Sequence, residues 1–344
     1  MATSPITQPL TSIIARPPSP FLDDLPMGEP GRLAIFGKHP VAADHLEDIG
    51  LATPSLVAFK QGFYLDGITD CLSRQTWLKD LGTTDSVPYD HSMLTVGRRG
   101  WMAVRFQHSA DAPGRRQFPL VLALHGGDFS ALNGIAGIGQ MLDGVLAAAA
   151  AARDPVALKQ VHAQGQARLQ ELLRTEVSSP APGLTAREAW LQGLGLGPDN
   201  QGLWRTCHAL SAQGAGAASA RVPLHLGGPW QSGTLWLSLV RRLFDLHSEV
   251  LTLVWKQRQA FGDLALSPPA ARVLAGLFAP EAGQPQTASI PFNFSAELKT
   301  EAQAVLNEWL TEPDLFPPQK NVDETPSLLN KVCNGLRGWF KPSE

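Results

Sequence analysis

The stretch LAIFGKHPVAADH, residues 33–45, carries the strongest structural signal in the chain. Its first four residues are apolar and predict a short buried strand. Gly37 and Pro40 then predict a turn, because glycine tolerates unusual backbone angles and proline removes a hydrogen-bond donor. The polar residues Lys38 and Asp44 are therefore expected beside the end of a core strand, where Asp44 would accept hydrogen bonds from turn amides.

A second stretch, GRRQFPLVLAL over residues 114–124, leads into another apolar run. A polar and basic connection ends at Phe118 and Pro119, and the residues that follow predict a core strand. We predict that the turn after the first strand packs on the strand that begins at Phe118.

These two stretches resemble the two sequence marks of the type VI secretion-associated TagF/ImpM family. The first is the Gly-Lys-x-Pro-x-x-x-Asp turn at 37–44, and the second is the Gly-Arg…Phe-Pro-Leu start of a strand at 114–120. A looser likeness lies later, where LVW at 253–255 precedes a Leu-x-x-Pro and a short predicted helix ending at Leu277-Phe278. Lys256 stands where the family has a second tryptophan.

The resemblance spans about 31–125 and, more loosely, 221–280. It implies a non-enzymatic accessory or regulatory protein of a type VI secretion system, acting by protein–protein binding and without a cofactor. The implied partner is a scaffold protein with a forkhead-associated domain. The implied mechanism is occupancy, in which the bound scaffold is held in a state that does not license assembly.

The composition predicts a folded protein with a sizeable core. The chain has 344 residues, of which 44% are hydrophobic and 17% are charged, and this length suffices for two domains. Its 28 Lys and Arg residues nearly balance 31 Asp and Glu residues, so net charge gives no argument for nucleic acid as a partner. The three cysteines are too far apart for a zinc site or a disulfide framework.

Composition shifts along the chain predict an α/β (α+β) fold with two small domains, each a short sheet packed with helices. The predicted order is a disordered Pro-rich tail at 1–30, an α/β domain with a helical extension at 31–180, a linker region at 181–220, a second α/β domain at 221–311, and a Pro-rich linker with an amphipathic helix at 312–344.

Hydrophobic periodicity predicts the elements of both domains. Strands are expected at 31–37, 92–96, 101–106, 118–124, 222–226, 250–255 and 290–294. Helices are expected at 54–72, with Thr53 as N-cap, at 130–152, from 155 to about 177, at 232–246 and at 295–310. Residues 184–206 are expected to form a short helix followed by a loop.

Five arginines surround the predicted hairpin and the connection after it: Arg98, Arg99, Arg105, Arg115 and Arg116. They predict either a solvated hairpin edge or a docking face for an acidic or phosphorylated partner, because guanidinium binds carboxylate and phosphate bidentately. With the family resemblance, Arg115 or Arg116 is expected as a structural pin that bonds turn carbonyls or the carboxylate of Asp44.

Two other function classes stay open. A metal-dependent or hydrolytic enzyme would use His39, Asp44, His45 and His125, although the spacing of the first three, with Asp48, matches no usual zinc pattern. We therefore expect no metal.

A structural adaptor would attach to a membrane or a baseplate through its tails. The basic amphipathic segment 327–341 could then contact lipid, a partner or the protein's own core. The N-terminus lacks a secretory signal pattern, which favours a cytoplasmic protein.

Overall fold

A computed structural model describes residues 21–26, 29, 31–74, 89–114, 118–176, 180–196, 201–212, 219–225, 228–244, 246, 249–271, 274 and 296–317. The fold is α+β, as the sequence predicts. Its strands are β1 (Arg32–Gly37), β2 (His91–Val96), β3 (Trp101–Ser109), β4 (Phe118–Gly126), β5 (Ser219–Pro223), β6 (Leu251–Lys256) and β7 (Phe261–Ala265).

Helix α1 is composite, with α-helical ends at Pro54–Phe59 and Thr69–Ser73 and a π-helical stretch, Lys60–Ile68, between them. The other helices are α2 (Ile135–Ala150), which follows a 3-10 turn at Phe129–Gly134, α3 (Pro155–Glu176), α4 (Leu184–Gly193), α5 (Gln201–Ala212), α6 (Pro229–Leu243) and α7 (Ala296–Thr311).

The strands form one antiparallel sheet in the order β1-β4-β3-β2-β6-β7-β5. Alternation along each strand sends side chains to two opposite faces. On one face, residues such as Ile35 and Leu122 pack with helices α2 to α7. On the other, Phe36 and Val104 pack with helix α1. The sheet is thus the middle of three layers.

Helix α1 begins as the sequence predicts. Thr53 caps it by accepting a hydrogen bond from the Leu56 amide at 3.3 Å, and Pro54 occupies the first position, where no amide donor is needed. Asp128 caps the 3-10 turn before α2, because its carboxylate accepts from the Ser130 amide at 2.9 Å.

The two predicted domains do not have separate sheets. Strand β2, from the first predicted domain, pairs with β6, from the second, along six residue pairs from His91↔Lys256 to Val96↔Leu251. The physical reason is that β2 would otherwise carry a row of unpaired backbone groups on its outer edge, and β6 satisfies them.

Part of the predicted disordered tail is ordered. Within residues 21–26, Leu22 is fully buried in the core on the α1 face and Leu25 is 6% exposed. Proline content suggested a solvated tail, but these two leucines bury apolar surface and so offset the entropy of ordering.

Two further elements differ from the prediction. Helix α5 replaces a predicted loop, and β7 was not predicted at all. The β7 sequence, FGDLA, contains a glycine and an acid, which ordinarily indicate a turn. The predicted strand at 290–294, the helix end at Leu277-Phe278 and the segment 327–341 lie outside the described residues.

Among the described residues, one helical stretch, Phe129–Ala150, has the length and composition to cross a membrane. In its most apolar window 44% of the residues are buried inside the protein. Because α2 packs against β3, β4, α3 and α6, the stretch serves as a core helix of the larger helical layer.

Candidate functional site

The turn after β1 depends on glycine at position 37. Gly37 has a φ of 115°, and a Cβ there would lie 2.3 Å from the Pro119 carbonyl oxygen. The turn reaches β4 through the Lys38 amide, which donates to the same oxygen at 3.4 Å, and closes when the Leu46 amide donates to the Gly37 carbonyl at 2.7 Å. A side chain at this position would therefore separate β1 from β4.

Lys38 forms a buried ion pair. Its Nζ lies 2.9 Å from Oδ2 of Asp111, and the two side chains are 5% and 0% exposed. On its outer side the same ammonium lies 3.4 Å from Oδ1 of Asp44, whose side chain is 68% exposed. The ammonium also lies 5.7 Å from the centre of the Phe118 ring. Burial and hydrogen bonding make Asp111 the main counter-ion, and Asp44 an exposed second one.

The Asp111 loop is tied to the turn by its backbone as well. The Ala112 amide donates to the Ala42 carbonyl at 2.8 Å, and the Gly114 amide donates to the Asp111 carbonyl at the same distance. The connection between β3 and β4 is therefore folded onto the β1 turn. Arg115 and Arg116, one of which was predicted to be the pin here, lie outside the described residues.

The π-helical stretch of α1 covers the other side of the turn. Tyr64 is fully buried, and its ring packs edge-on against Phe36 and His45, with ring centroids 5.4 and 5.8 Å away. Lys60, at the start of the stretch, bonds Asp48 with 2.6 and 2.5 Å contacts to its two oxygens. Wide turns of this kind often occur at functional positions, and this one brings Tyr64 and Lys60 onto the turn.

Burial controls the titration of this cluster. It lowers the pKa of His45 below its ordinary value, although Asp44, 3.3 Å from the ring Nδ1, acts in the opposite direction. Burial also raises the pKa of the Tyr64 hydroxyl. Both side chains are therefore held neutral near pH 7, which suits packing in an aromatic cluster with Phe118.

His39 has a structural role. It is 1% exposed, its Nδ1 accepts from the Val41 amide at 3.2 Å, and its Nε2 lies 3.0 Å from the Ala149 carbonyl. Since Nδ1 accepts, the proton is on Nε2, which donates to the last turn of α2. His39 thereby satisfies a carbonyl at the end of that helix.

Of the residues of the alternative enzyme site, Asp44 and His45 lie 3.3 Å apart, and His39 and His125 make their contacts elsewhere. His39 bonds α2, Asp48 bonds Lys60, and His45 packs among aromatic rings. Within the described ranges, no group of three or more His, Cys, Asp or Glu side chains is arranged to hold a metal ion. Pro40, between these residues, is exposed.

His125, the further candidate, is fully buried in β4, where its Nδ1 lies 3.0 Å from Thr53 Oγ1. Burial lowers its pKa. Its exposure of 0% leaves no room for a substrate at the ring, so in this structure it supports the start of α1.

The described arginines do not form one exposed face. Arg105 is 7% exposed and bonds Asp143 at 2.6 Å and the His91 carbonyl at 2.8 Å, so it links β3 to α2 and β2. Its predicted docking role is not compatible with this burial. Arg98 donates to Asp23 at 3.0 Å, while Arg99 is exposed at the β2–β3 turn.

Sequence reasoning missed two members of the turn cluster. Asp111 carried a signal, because it is the single acid among five arginines within residues 98–116. Tyr64 carried none, since its place depends on the π-helical stretch, which periodicity of 3.6 residues does not detect.

No protein-family model matches the chain, and no curated protein matches it.

Proposed function

We propose that this chain is a non-enzymatic accessory or regulatory protein of a type VI secretion system, acting in the cytoplasm by binding another protein. The observation that carries the proposal is the contact between the two sequence stretches that resemble the TagF/ImpM family. The Gly37 turn lies directly on Pro119, and the Lys38 ammonium lies over Phe118. Two stretches some 80 residues apart that meet in one cluster support a shared structural role.

The proposed partner is the system's scaffold protein with a forkhead-associated domain. Binding would act by occupancy, in which the bound scaffold does not support assembly. The turn cluster suits such a role because its inner side is fixed by Asp111 and Tyr64 while Asp44 stays on the surface. A rigid base under an exposed turn reduces the ordering cost of binding.

The proposal is tested by capture from the native host. The full chain carrying an affinity tag is purified from the host, and co-purified proteins are identified by mass spectrometry. We expect components of the secretion apparatus, with the scaffold enriched over an unrelated tagged control. Reproducible capture of another complex, with no secretion component, would reject the proposal.

A substitution of Arg99, which is exposed at the β2–β3 turn, tests the binding surface at a single residue. If an acidic partner binds there, Arg99→Glu should weaken capture of the purified scaffold, more strongly at low salt, because exposed charges are screened by ions. Arg74→Glu is the matched control, since Arg74 is also exposed (72% of its side chain) and lies at the end of α1. Equal capture by both variants removes Arg99 from the binding surface.

A further inference from the structure

Residues 21–25, here called the strap, begin with a turn at residues 21–22 and then lie across one end of the sheet. Successive side chains make separate contacts. Leu22 enters the core on the α1 face, and Asp23 pairs with Arg98. Asp24 bonds Ser55. Leu25 packs beside Gly127, and its Cβ would lie 3.6 Å from a Cβ added to that glycine.

The strap binds through its backbone and its acids together. The Leu22 amide donates to Ser55 Oγ at 2.8 Å, and the Ser55 amide donates to Asp24 Oδ2 at 3.0 Å. The Ser55 hydroxyl in turn donates to the other Asp24 oxygen. Arg98 reaches Asp23 Oδ2 with Nε at 3.0 Å and Nη2 at 2.8 Å. The bonds to Asp23 and Asp24 are charge-assisted and therefore stronger than bonds between neutral groups.

The surface under the strap is shaped to receive a backbone. A Cβ on Gly100 would lie 2.5 Å from the Leu22 carbonyl oxygen, and one on Gly97 would lie 3.1 Å from Leu22 Cβ. The groove is therefore bounded by the β2–β3 turn, the start of α1 and the end of β4. With the strap in place its polar wall is buried, with Ser55 at 3% exposure and Thr53 at 5%.

The strap occupies this groove at some cost to itself. Leu22 has a φ of 70°, a conformation that residues with a side chain rarely adopt. The groove itself is built from α1, β2, β3 and β4, which have their own core contacts without the strap. The strained conformation of Leu22 has a conformational cost, so a segment that fills the groove without that strain can compete with the strap.

We propose that this groove is a docking site for a partner-protein segment of the pattern apolar–acidic–acidic–apolar, and that the strap, Phe-Leu-Asp-Asp-Leu, occupies it in cis. The strap is tethered close to the groove, so it competes at a high effective concentration. A partner then binds only when it displaces the strap. This inference goes beyond the proposed secretion role and does not depend on it.

The test uses the full chain and a fluorescent peptide of residues 19–27 (SPFLDDLPM). The variant Leu22→Ala/Asp24→Ala weakens the strap and leaves the groove residues intact. Fluorescence anisotropy should show that this variant binds the peptide at least about tenfold more tightly than the wild type. In the wild type the strap occupies most grooves, and only the small fraction of molecules with a free groove can bind the peptide. A peptide with Asp24→Ala should bind the variant at least about tenfold more weakly than the unchanged peptide.

Near-ultraviolet circular dichroism establishes that the double variant is folded. If it is folded and does not bind the peptide, or if the wild type binds equally well, the proposal is rejected. If the double variant does not fold, Asp23→Asn replaces it, because this change removes only the ion pair with Arg98, which is 35% exposed. That chain should bind the peptide at least about threefold more tightly than the wild type, and no gain rejects the proposal.

Discussion

Among the described residues, Lys38 has two carboxylates within reach, and they differ in burial. Asp111 is buried with the ammonium, whereas the side chain of Asp44 is 68% exposed. A charge that loses its only buried counter-ion keeps its desolvation cost without compensation, whereas an exposed pair is weakened by water and salt. Asp111 is therefore the residue on which the turn depends.

We expect Asp111→Ala to lower the free energy of unfolding by about 3–5 kcal/mol, because it leaves the Lys38 ammonium buried beside Phe118. Asp44→Ala is the matched control at the same ammonium and should cost less than about 1 kcal/mol. Urea denaturation at pH 7, followed by tryptophan fluorescence, measures both. Similar losses for the two variants would contradict this division of roles.

The sequence supported the local part of this site and not its long-range part. The β1 strand, the turn and its packing on the strand from Phe118 follow from residues 33–45 and 114–124. The ion pair joins positions 73 residues apart, and it depends on how the β3–β4 connection folds back. Periodicity describes single elements, so it could not choose Asp111 over Asp44.

Elements with strong periodicity were predictable, and those with mixed signals were not. Strand β7 shows why: its Asp263 is buried and pairs with Arg221 at 2.8 Å, and a Cβ on Gly262 would lie 2.9 Å from the Val254 carbonyl. Burial raises the pKa of Asp263, with Arg221 acting in the opposite direction. A strand that contains a buried ion pair and a close backbone approach resembles a turn in sequence.

Two glycines of α2 should respond oppositely to the same change. Gly144 has open space around it, so Gly144→Ala should raise the free energy of unfolding by about 0.5–1 kcal/mol through helix propensity. At Gly139 a Cβ would lie 2.2 Å from the Trp230 indole, so Gly139→Ala should lower it by about 1–3 kcal/mol through overpacking. Thermal and urea unfolding measure both, and a gain at Gly139 would contradict the packing of α2 on α6.

At the scale of the whole molecule, the two halves share one sheet. Each half reads as strand–helix–strand, and this suggested two domains. Sequence alone does not show which strand edges meet, because a pairing such as Met93↔Val254 joins residues far apart in the chain. Non-local pairing of this kind depends on which strand edges still carry unpaired backbone groups and on which sheet faces the helices cover.

A shared sheet predicts shared stability. Leu253 is fully buried on β6, so Leu253→Ala should lower the free energy of unfolding by about 2–5 kcal/mol. Strand β6 pairs with β2, and β2 is joined through β3 to β4. The hydrogen-exchange protection of the amides should therefore fall by the same amount in β4 and in β6. Hydrogen exchange with mass spectrometry across a urea series measures the two strands separately. Val57 is 50% exposed, so Val57→Ala serves as the control and should change the protection of neither strand. If β4 keeps its protection while β6 loses it, the halves unfold independently, and the pairing of β2 with β6 does not make the sheet one cooperative unit.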